Sequence, residues 1–538
     1  METRHYDNII IGSGVGGLSC AICLAKAGES VLVLEQHYSV GGYSHTFKKS
    51  GYSFVVGLHY LGQVDYEGHA FKEMFSWLSE GRLRWHRSTD IIDKILFEED
   101  GREFTAHAGV QSFIEGMTEE FPDSRNVIRS YINDVQSCEK SVSYFLSEKA
   151  LWEPTCSLFG PALRSKFLKY SDETAYAYLR KITSNEKLIS VLCGSWHEIG
   201  LPPKKSSFAG HALSRANHLG GTYFPVGGMS GIAKELLPTL ERHDGKVLTK
   251  TQVSKVIIKN GKAQGVLLAD GTALFGKRII SSIGAKETFS NLIDEEFLEP
   301  LPFRSELSDL STSGSATGLF LGIKGSAKEL NLEPYSYIVS PIYDFEKSTR
   351  NLENGNLFDF HFPYIYFLPY SLRDPDWVSQ NPEKISMLVC AYDTLERHLT
   401  WKDSAYRKRP QEYLDYKNAL KEYLLKKTYE TYPQLKGRVE LAEAFTPLTF
   451  KHFGNHTGGA VYGLAQEASR FRKRWLRPKT PISNLYLTGV DISVSGVIGA
   501  MISGALTAGH ILGPIRGSAI FERLLPWKFN RRDPSYFK

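Results

Sequence analysis

Residues 8–36 read NIIIGSGVGGLSCAICLAKAGESVLVLEQ. An apolar, β-rich run (Asn8–Ile11) leads into Gly12-Ser13-Gly14-Val15-Gly16-Gly17, and an amphipathic helical pattern follows to Lys26. Gly28 stops that helix, and a second apolar strand, Val31–Leu34, ends at Glu35. Strand, glycine turn, helix, strand and terminal acid together form a dinucleotide-binding fingerprint in its required context. Gly12 allows the tight turn, Gly14 lets backbone N–H groups approach a pyrophosphate, and Gly17 lets helix and strand pack closely. The helix N-terminus offers unpaired N–H groups and partial positive charge to phosphates. Glu35, 23 residues beyond Gly12, stands where a carboxylate accepts hydrogen bonds from a ribose diol. Ser13 and Gln36 flank these positions and join them as cofactor contacts.

Next comes VGGYSHTF (40–47), followed by KKSGYSFVVGLHYLG. A nicotinamide dehydrogenase would normally continue into a helix, whereas this pattern is one of turns and short strands. Two adjacent glycines accept positive φ without steric cost and let the backbone pass close to an extended cofactor. Gly41, Gly42, Ser44 and His45 are therefore read as lying along the pyrophosphate and ribityl part of FAD.

The far end repeats this logic. In NLYLTGVDISVSGVIGAMISGALTAGHIL (484–512) a strand reaches Gly489-Val490-Asp491, a loop carries Ser495-Gly496, and a small-residue helix starts near Val497. Residues 492–512 contain no charge and are long enough to span a bilayer. Four glycines, three serines and a histidine in that segment favour a buried helix. In the middle, VSKVIIK, Asn260-Gly261, AQGVLLA and Asp270-Gly271 form a β-meander with strong hairpin turns.

Three blocks (9–47, 223–271 and 484–509) resemble the flavin-dependent polyene oxidoreductases: phytoene desaturases, carotenoid cis–trans isomerases and retinol saturases. GGYSHTF and GLHYLG are most similar to the retinol saturase subgroup. The chain departs from the wider family at Phe54-Val55-Val56-Gly57, where many relatives carry Asp. It departs again at Tyr43-Ser44-His45, where amine-oxidase-like relatives carry Arg after the glycine pair. The resemblance implies an α/β fold with a discontinuous Rossmann-like FAD-binding domain and a mixed α+β substrate domain, in the amine-oxidase and phytoene-desaturase architecture. Boundaries are read as 1–65, 207–289 and 481–515 for the cofactor domain, 66–206 (mostly helical) and 290–480 for the substrate domain, and 516–538 for a tail. The resemblance further implies that Val253 contacts the adenine and that Asp491 serves the ribityl or pyrophosphate. It aims Gly489, Gly496, Val497 and Ile498 at the flavin, with the helix N-terminus facing the pyrimidine edge. A meander without ligand remains the alternative for Val253.

The expected activity is redox chemistry on C=C bonds of a hydrophobic polyene, foremost saturation, with cis–trans isomerisation or desaturation as the alternative. Escort and dissociation-inhibitor proteins of prenylated GTPases share the architecture without a working flavin and form an alternative of another class. The intact Gly12, Gly14, Gly17, Glu35 and Asp491 favour the flavoenzyme. No cysteine lies near the third block, which favours noncovalent FAD over the covalent attachment seen in amine oxidases. No second glycine fingerprint occurs in strand–helix context, so the electron donor or acceptor is external and unspecified. Reduction also needs a proton, and the candidate donors are His59, Tyr60, His456 and Tyr462. The aromatic run NLFDFHFPYIYFLPY (356–370) reads either as a tunnel wall or as a buried strand pair.

Bulk properties bound the rest. The chain has 538 residues, 42% hydrophobic and 23% charged, with a formal net charge of +5 that gives no support to a nucleic-acid partner. Of six cysteines only Cys20 and Cys23 are close, and they share an apolar helix face, so no metal site is read. No signal peptide is read before the first strand, which suits a cytoplasmic protein. The basic, aromatic runs RFRKRWLRPK (470–479) and RLLPWKFNRRDPSYFK (523–538) suggest peripheral contact with an anionic membrane, with a solvated charged face as the alternative. Oligomeric state is not legible.

Overall fold

The computed structural model describes residues 5–57 and 59–524. Its first sheet grows from Tyr6–Ile11, which pairs in parallel with Val31–Leu34 on one side and Ala273–Ser281 on the other. Lys246–Leu248 extends the sheet beyond Val31–Leu34, and Leu485–Leu487 extends it beyond Ala273–Ser281, both in parallel. In chain order these strands lie 3-2-1-4-5, the arrangement of a dinucleotide-binding sheet. The order reverses between Tyr6–Ile11 and Ala273–Ser281, and ligands bind outside the strand ends at such a switch point. Val253–Lys259 and Lys262–Leu268 continue from Ala273–Ser281 as an antiparallel meander. Asn260 and Gly261 both have positive φ (51° and 69°), as the tight hairpin between them requires.

Parallel strands are covered on both faces, and alternate side chains show it. Ile10, Val31 and Val33 join the large core beneath the helices, whereas Ile9, Ile11, Leu32 and Leu34 join a second core on the opposite face. Helix Val15–Lys26 packs against Gly496–Arg516 at very close range. A Cβ on Gly504 would lie 2.3 Å from the Gly16 carbonyl oxygen, so only glycine fits. The Ser19 hydroxyl donates to the Met501 carbonyl at 2.8 Å across that contact. Gly496–Arg516 is long and apolar enough to cross a membrane by length and composition, yet 67% of its most apolar window is buried in the fold. It is a core helix here.

The second sheet has seven strands in the order Val439–Phe445, Ser315–Lys324, Lys384–Asp393, Ile365–Leu368, Ser336–Ser340, Ile91–Phe97 and Arg102–His107. Helices Arg125–Ala150 and Phe208–Leu219 pack together beside it, and side chains from both face a cavity against this sheet. Residues 66–206 are mostly helical, as their pattern suggests, and also contribute the strands Trp85–Thr89, Ile91–Phe97 and Arg102–His107. Ile91–Phe97 is held by the distant Ser336–Ser340, a pairing with no local signature. Phe208–Leu219, grouped by sequence with the cofactor part, packs with the helices of the other part and lines its cavity.

The basic run 470–479 is divided: Arg472, Arg474 and Lys479 are exposed, Lys473 and Arg477 are half-buried, and only Arg470 turns fully inward. Arg470 is buried and donates to the carbonyls of Leu464, Val490 and Ser493. Arg472 pairs with Asp172, Lys473 with Glu306, and Arg477 donates to the Leu151 carbonyl. Trp475 stacks on Phe303 at 4.0 Å between ring centroids. Of the C-terminal basic stretch, residues 525–538 lie outside the described residues.

Candidate active site

A cavity of about 1090 Å³ runs along the switch point of the first sheet. Gly12 and Gly14 form one wall, and Gly489, Asp491 and Gly496 form the far end. Gly17 sits behind this wall: a Cβ there would fall 2.1 Å from the Gly12 carbonyl oxygen. Gly14 and Gly496 differ, since a Cβ on either would meet no atom of the described residues within 4 Å. They face a groove rather than a packed neighbour. The helices Val15–Lys26 and Gly496–Arg516 begin at this groove, and neither has a side-chain cap. Two uncapped helix N-termini and open glycines suit an elongated, anionic dinucleotide.

The loop VGGYSHTF is pressed onto the glycine turn. Gly41 and Gly42 have φ of 111° and 57°, and the Gly41 N–H donates to the Ser13 carbonyl at 3.2 Å. A Cβ on Gly42 would come 3.1 Å from Gly14 Cα. The Ser44 hydroxyl closes the turn by donating to the Gly41 carbonyl (2.8 Å), and His45 Nδ1 bonds the Gly42 carbonyl (2.7 Å). Gln36, Gly41, Gly42, Ser44, His45, Val253 and Val497 all line the cavity.

Two acids on this wall are already engaged. Glu35 accepts from the Ser13 N–H (2.9 Å) and hydroxyl (2.6 Å) and from the His37 N–H (2.8 Å). It thereby braces the glycine turn from behind while lining the cavity, and Ser13 is fully buried beneath it. Asp491 accepts from the Ala285 N–H (2.7 Å) and the Leu464 N–H (2.9 Å). Burial holds its carboxyl above the usual range against the pull of Arg470.

A third acid, Glu287, has no motif around it and escaped the sequence reading. It lines the cavity, accepts from the Thr457 N–H (2.8 Å) and lies 3.8 Å from His456 Nδ1. Burial would raise Glu287, but His456 holds it below the usual carboxylate range. His456 is in turn raised despite its burial, through the carboxylates of Glu287 and Asp491.

A second cavity of about 260 Å³ lies between the seven-stranded sheet and the helices. The two cavities share Gly57, Phe445, Phe450, Tyr462, Gly496 and Val497 as lining, so they adjoin at one helix N-terminus. Ile498 faces the second cavity. Its wall is apolar and aromatic, with Leu146, Leu213 and Ile502 opposite Tyr364, Tyr366 and Tyr392. The run 356–370 holds one strand, Ile365–Leu368, and no strand pair: Tyr364 and Tyr366 line the cavity, while Phe360 and Phe362 pack against Tyr423 of the helix Gln411–Thr431.

At one end of this cavity stand His59, Tyr60, His197 and Glu198. Burial, then the nearby Arg373, pulls His59 down to about 3, so its ring is neutral near pH 7. Tyr462 lines both cavities, and burial raises its phenol far above the usual value. Glu198, also unmarked by any sequence motif, bonds the Tyr60 hydroxyl and His218.

Residues 10–78 match the NAD(P)-binding Rossmann-like domain. Over 526 residues the chain is 32% identical to the all-trans-retinol 13,14-reductase of Rattus norvegicus, covering 95% of this chain and 86% of the rat protein. The chain belongs to the all-trans-retinol 13,14-reductase family. It is also 25% identical over 547 residues to prolycopene isomerase 1, chloroplastic, of an Oncidium hybrid cultivar, with 98% and 88% of the two chains covered. Among solved structures, a triple mutant of putrescine oxidase superposes with a TM-score of 0.63 at 15% identity, covering 94% of this chain and 99% of the other. That likeness confirms an amine-oxidase-like α/β fold.

Proposed function

We propose that this protein is a flavoenzyme that holds FAD noncovalently and saturates a C=C bond of a hydrophobic polyene of retinoid type. The observation that carries this reading is the adjoining of two cavities at one helix N-terminus. A groove with open glycines and two uncapped helix N-termini abuts a chamber walled by Tyr364, Tyr366 and Tyr392 at Gly496–Val497. Membership in the retinol 13,14-reductase family supports the substrate class. Bound flavin would supply hydride chemistry at its N5.

The chain's own residues divide the remaining work. Gly12, Gly14 and the N-terminus of Val15–Lys26 would receive the pyrophosphate, and Gly41–Gly42 would close over it. Glu35 would keep the glycine turn in shape and present its edge to the ribose. The N-terminus of Gly496–Arg516 would oppose negative charge on the reduced cofactor. Tyr364, Tyr366 and Tyr392, with Leu146 and Leu213 facing them, would exclude water around the polyene.

Isomerisation is the second reading, favoured by the match to a prolycopene isomerase across 98% of the chain. The cofactor is tested by the visible spectrum of the purified protein before and after denaturation. Flavin bands that pass into the supernatant, with the released molecule running as FAD, support the proposal. Flavin that stays with the precipitated chain, or a protein that takes up no added FAD, refutes it.

A further inference from the structure

We propose that Tyr60 is the proton donor for double-bond reduction and that the His218–Glu198 pair behind it resupplies the proton. This rests on the saturase reading above. Tyr60 and Glu198 line the second cavity, whereas His218 is fully buried behind them. The Tyr60 hydroxyl donates to Glu198 Oε1 and lies 2.6 Å from His218 Nε2, which also contacts Glu198 Oε2. The Ser214 hydroxyl donates to the same Glu198 oxygen at 2.8 Å and fixes the carboxylate. The Arg373 guanidinium sits 4.8 Å from the centroid of the Tyr60 ring. It is anchored by donating to the carbonyls of Pro334 (2.6 Å) and His59 (3.2 Å). A cation over the ring and an N–H at the oxygen are what a developing phenolate needs.

The other candidates lack this arrangement. His59 is neutral, and its Nδ1 has no hydrogen-bond partner among the described residues. His197 lines the same cavity, but burial lowers it. His456 lines the cofactor groove but not the second cavity. Burial, then Glu198 and Asp93, keeps the Tyr60 phenol protonated until a proton acceptor forms beside it. Burial would raise Glu198, but His218 holds it far below the usual carboxylate range, as an anion.

One alkene carbon receives a hydride, with its electron pair, from the reduced flavin. The Tyr60 O–H bond breaks, and its proton forms the new C–H bond on the neighbouring carbon. The phenolate then takes the Nε2 proton of the His218 imidazolium paired with the Glu198 carboxylate, leaving a neutral ring, and water that reaches the cavity-facing Glu198 restores the proton through that carboxylate. The alkene is reduced by two electrons and the flavin oxidised by two.

The test compares the parent protein, Tyr60→Phe and His218→Gln, each loaded with flavin. The flavin is reduced anaerobically and mixed with all-trans-retinol, and its reoxidation is followed in normal and heavy water. Retinol affinity is measured separately on flavin-free protein by tryptophan quenching. The expected result for Y60F is reoxidation slowed about 100-fold or more, in line with loss of a general acid, with retinol affinity within about twofold of the parent. H218Q keeps the phenol and, when the same sample is re-reduced and mixed with fresh retinol, is expected to slow these later turnovers more than the first. Y60F reoxidising within about threefold of the parent would overturn the proton-donor assignment, and H218Q matching the parent in every turnover would overturn the resupply. A parent protein whose reduced flavin is not oxidised by retinol at all refutes the saturase reading itself, a result distinct from both.

Discussion

Gly14→Ala separates folding from cofactor binding more cleanly than any other single change. Gly14 has φ −57° and ψ 166°, an extended conformation open to alanine. Its Cβ would meet no atom of the described residues within 4 Å, so the apoprotein gains no clash. Losing a glycine at a compatible position restricts the unfolded chain and stabilises by about 0.4–1 kcal/mol. The methyl would, however, project into the groove where the proposed pyrophosphate must approach the backbone. Overpacking of that kind costs about 1–3 kcal/mol, which converts to roughly 5- to 150-fold weaker binding. Gly17→Ala is the contrasting control, because its Cβ would stand 2.1 Å from the Gly12 carbonyl oxygen and must push strand and helix apart. The assay is titration of each flavin-free variant with FAD, together with a thermal melt of the same samples. G14A should melt at or above the parent and bind FAD weakly, while G17A should melt lower. G14A that binds FAD with parental affinity would refute the placement of the cofactor along Gly14, and G14A that melts well below the parent would refute the open groove.

Three further outcomes follow from the packing and the buried charges. Gly504→Ala puts a Cβ 2.3 Å from the Gly16 carbonyl oxygen and should lower the melting temperature through the contact of the two helices that border the groove. Arg470→Ala leaves three carbonyls, two of them in buried contacts, without their donor, with an expected loss of about 3–5 kcal/mol, read as a reduced denaturation midpoint. His59 is held near 3 against an ordinary 6.5, so it binds its proton more readily in the unfolded chain. The stability tied to its neutral ring is therefore complete above pH 6.5 and lost progressively as pH falls towards 3. His59→Phe should flatten the acid side of the stability–pH curve in that window, and an unchanged curve would contradict the assignment.

The cofactor half of the molecule was legible because its signals are local. Glycine spacing, the acid at the strand tip and the Asn260-Gly261 turn each act within a few residues, and the sheet assembles around them. The second sheet was harder to read. Ile91–Phe97 does end in an Asp100-Gly101 turn, the same hairpin signal, but its other neighbour lies more than two hundred residues away. The Tyr60 site is less legible still. Glu198 and His218 stand 138 and 158 residues from Tyr60 in sequence, and neither sits in a recognisable motif. Glu287 is hidden in the same way, since only folding brings it to His456. The basic run 470–479 shows the converse, because a charge pattern cannot reveal that Arg470 points inward to carbonyls.

The central claim is that this chain moves a hydride and a proton onto a polyene double bond. It is tested most directly by the mass of the product. Flavin-loaded protein is reduced under anaerobic conditions, mixed with all-trans-retinol, and the extracted retinoid is analysed by chromatography and mass spectrometry. The account predicts a retinoid heavier by one pair of hydrogens, formed in step with flavin reoxidation and, in heavy water, carrying two deuterium atoms, one delivered as the proton and one through the solvent-exchanged N–H of the reduced flavin. Retinoid recovered at unchanged mass while the flavin stays reduced would contradict it, and a shifted double-bond geometry at that same mass would assign the chain to isomerisation instead.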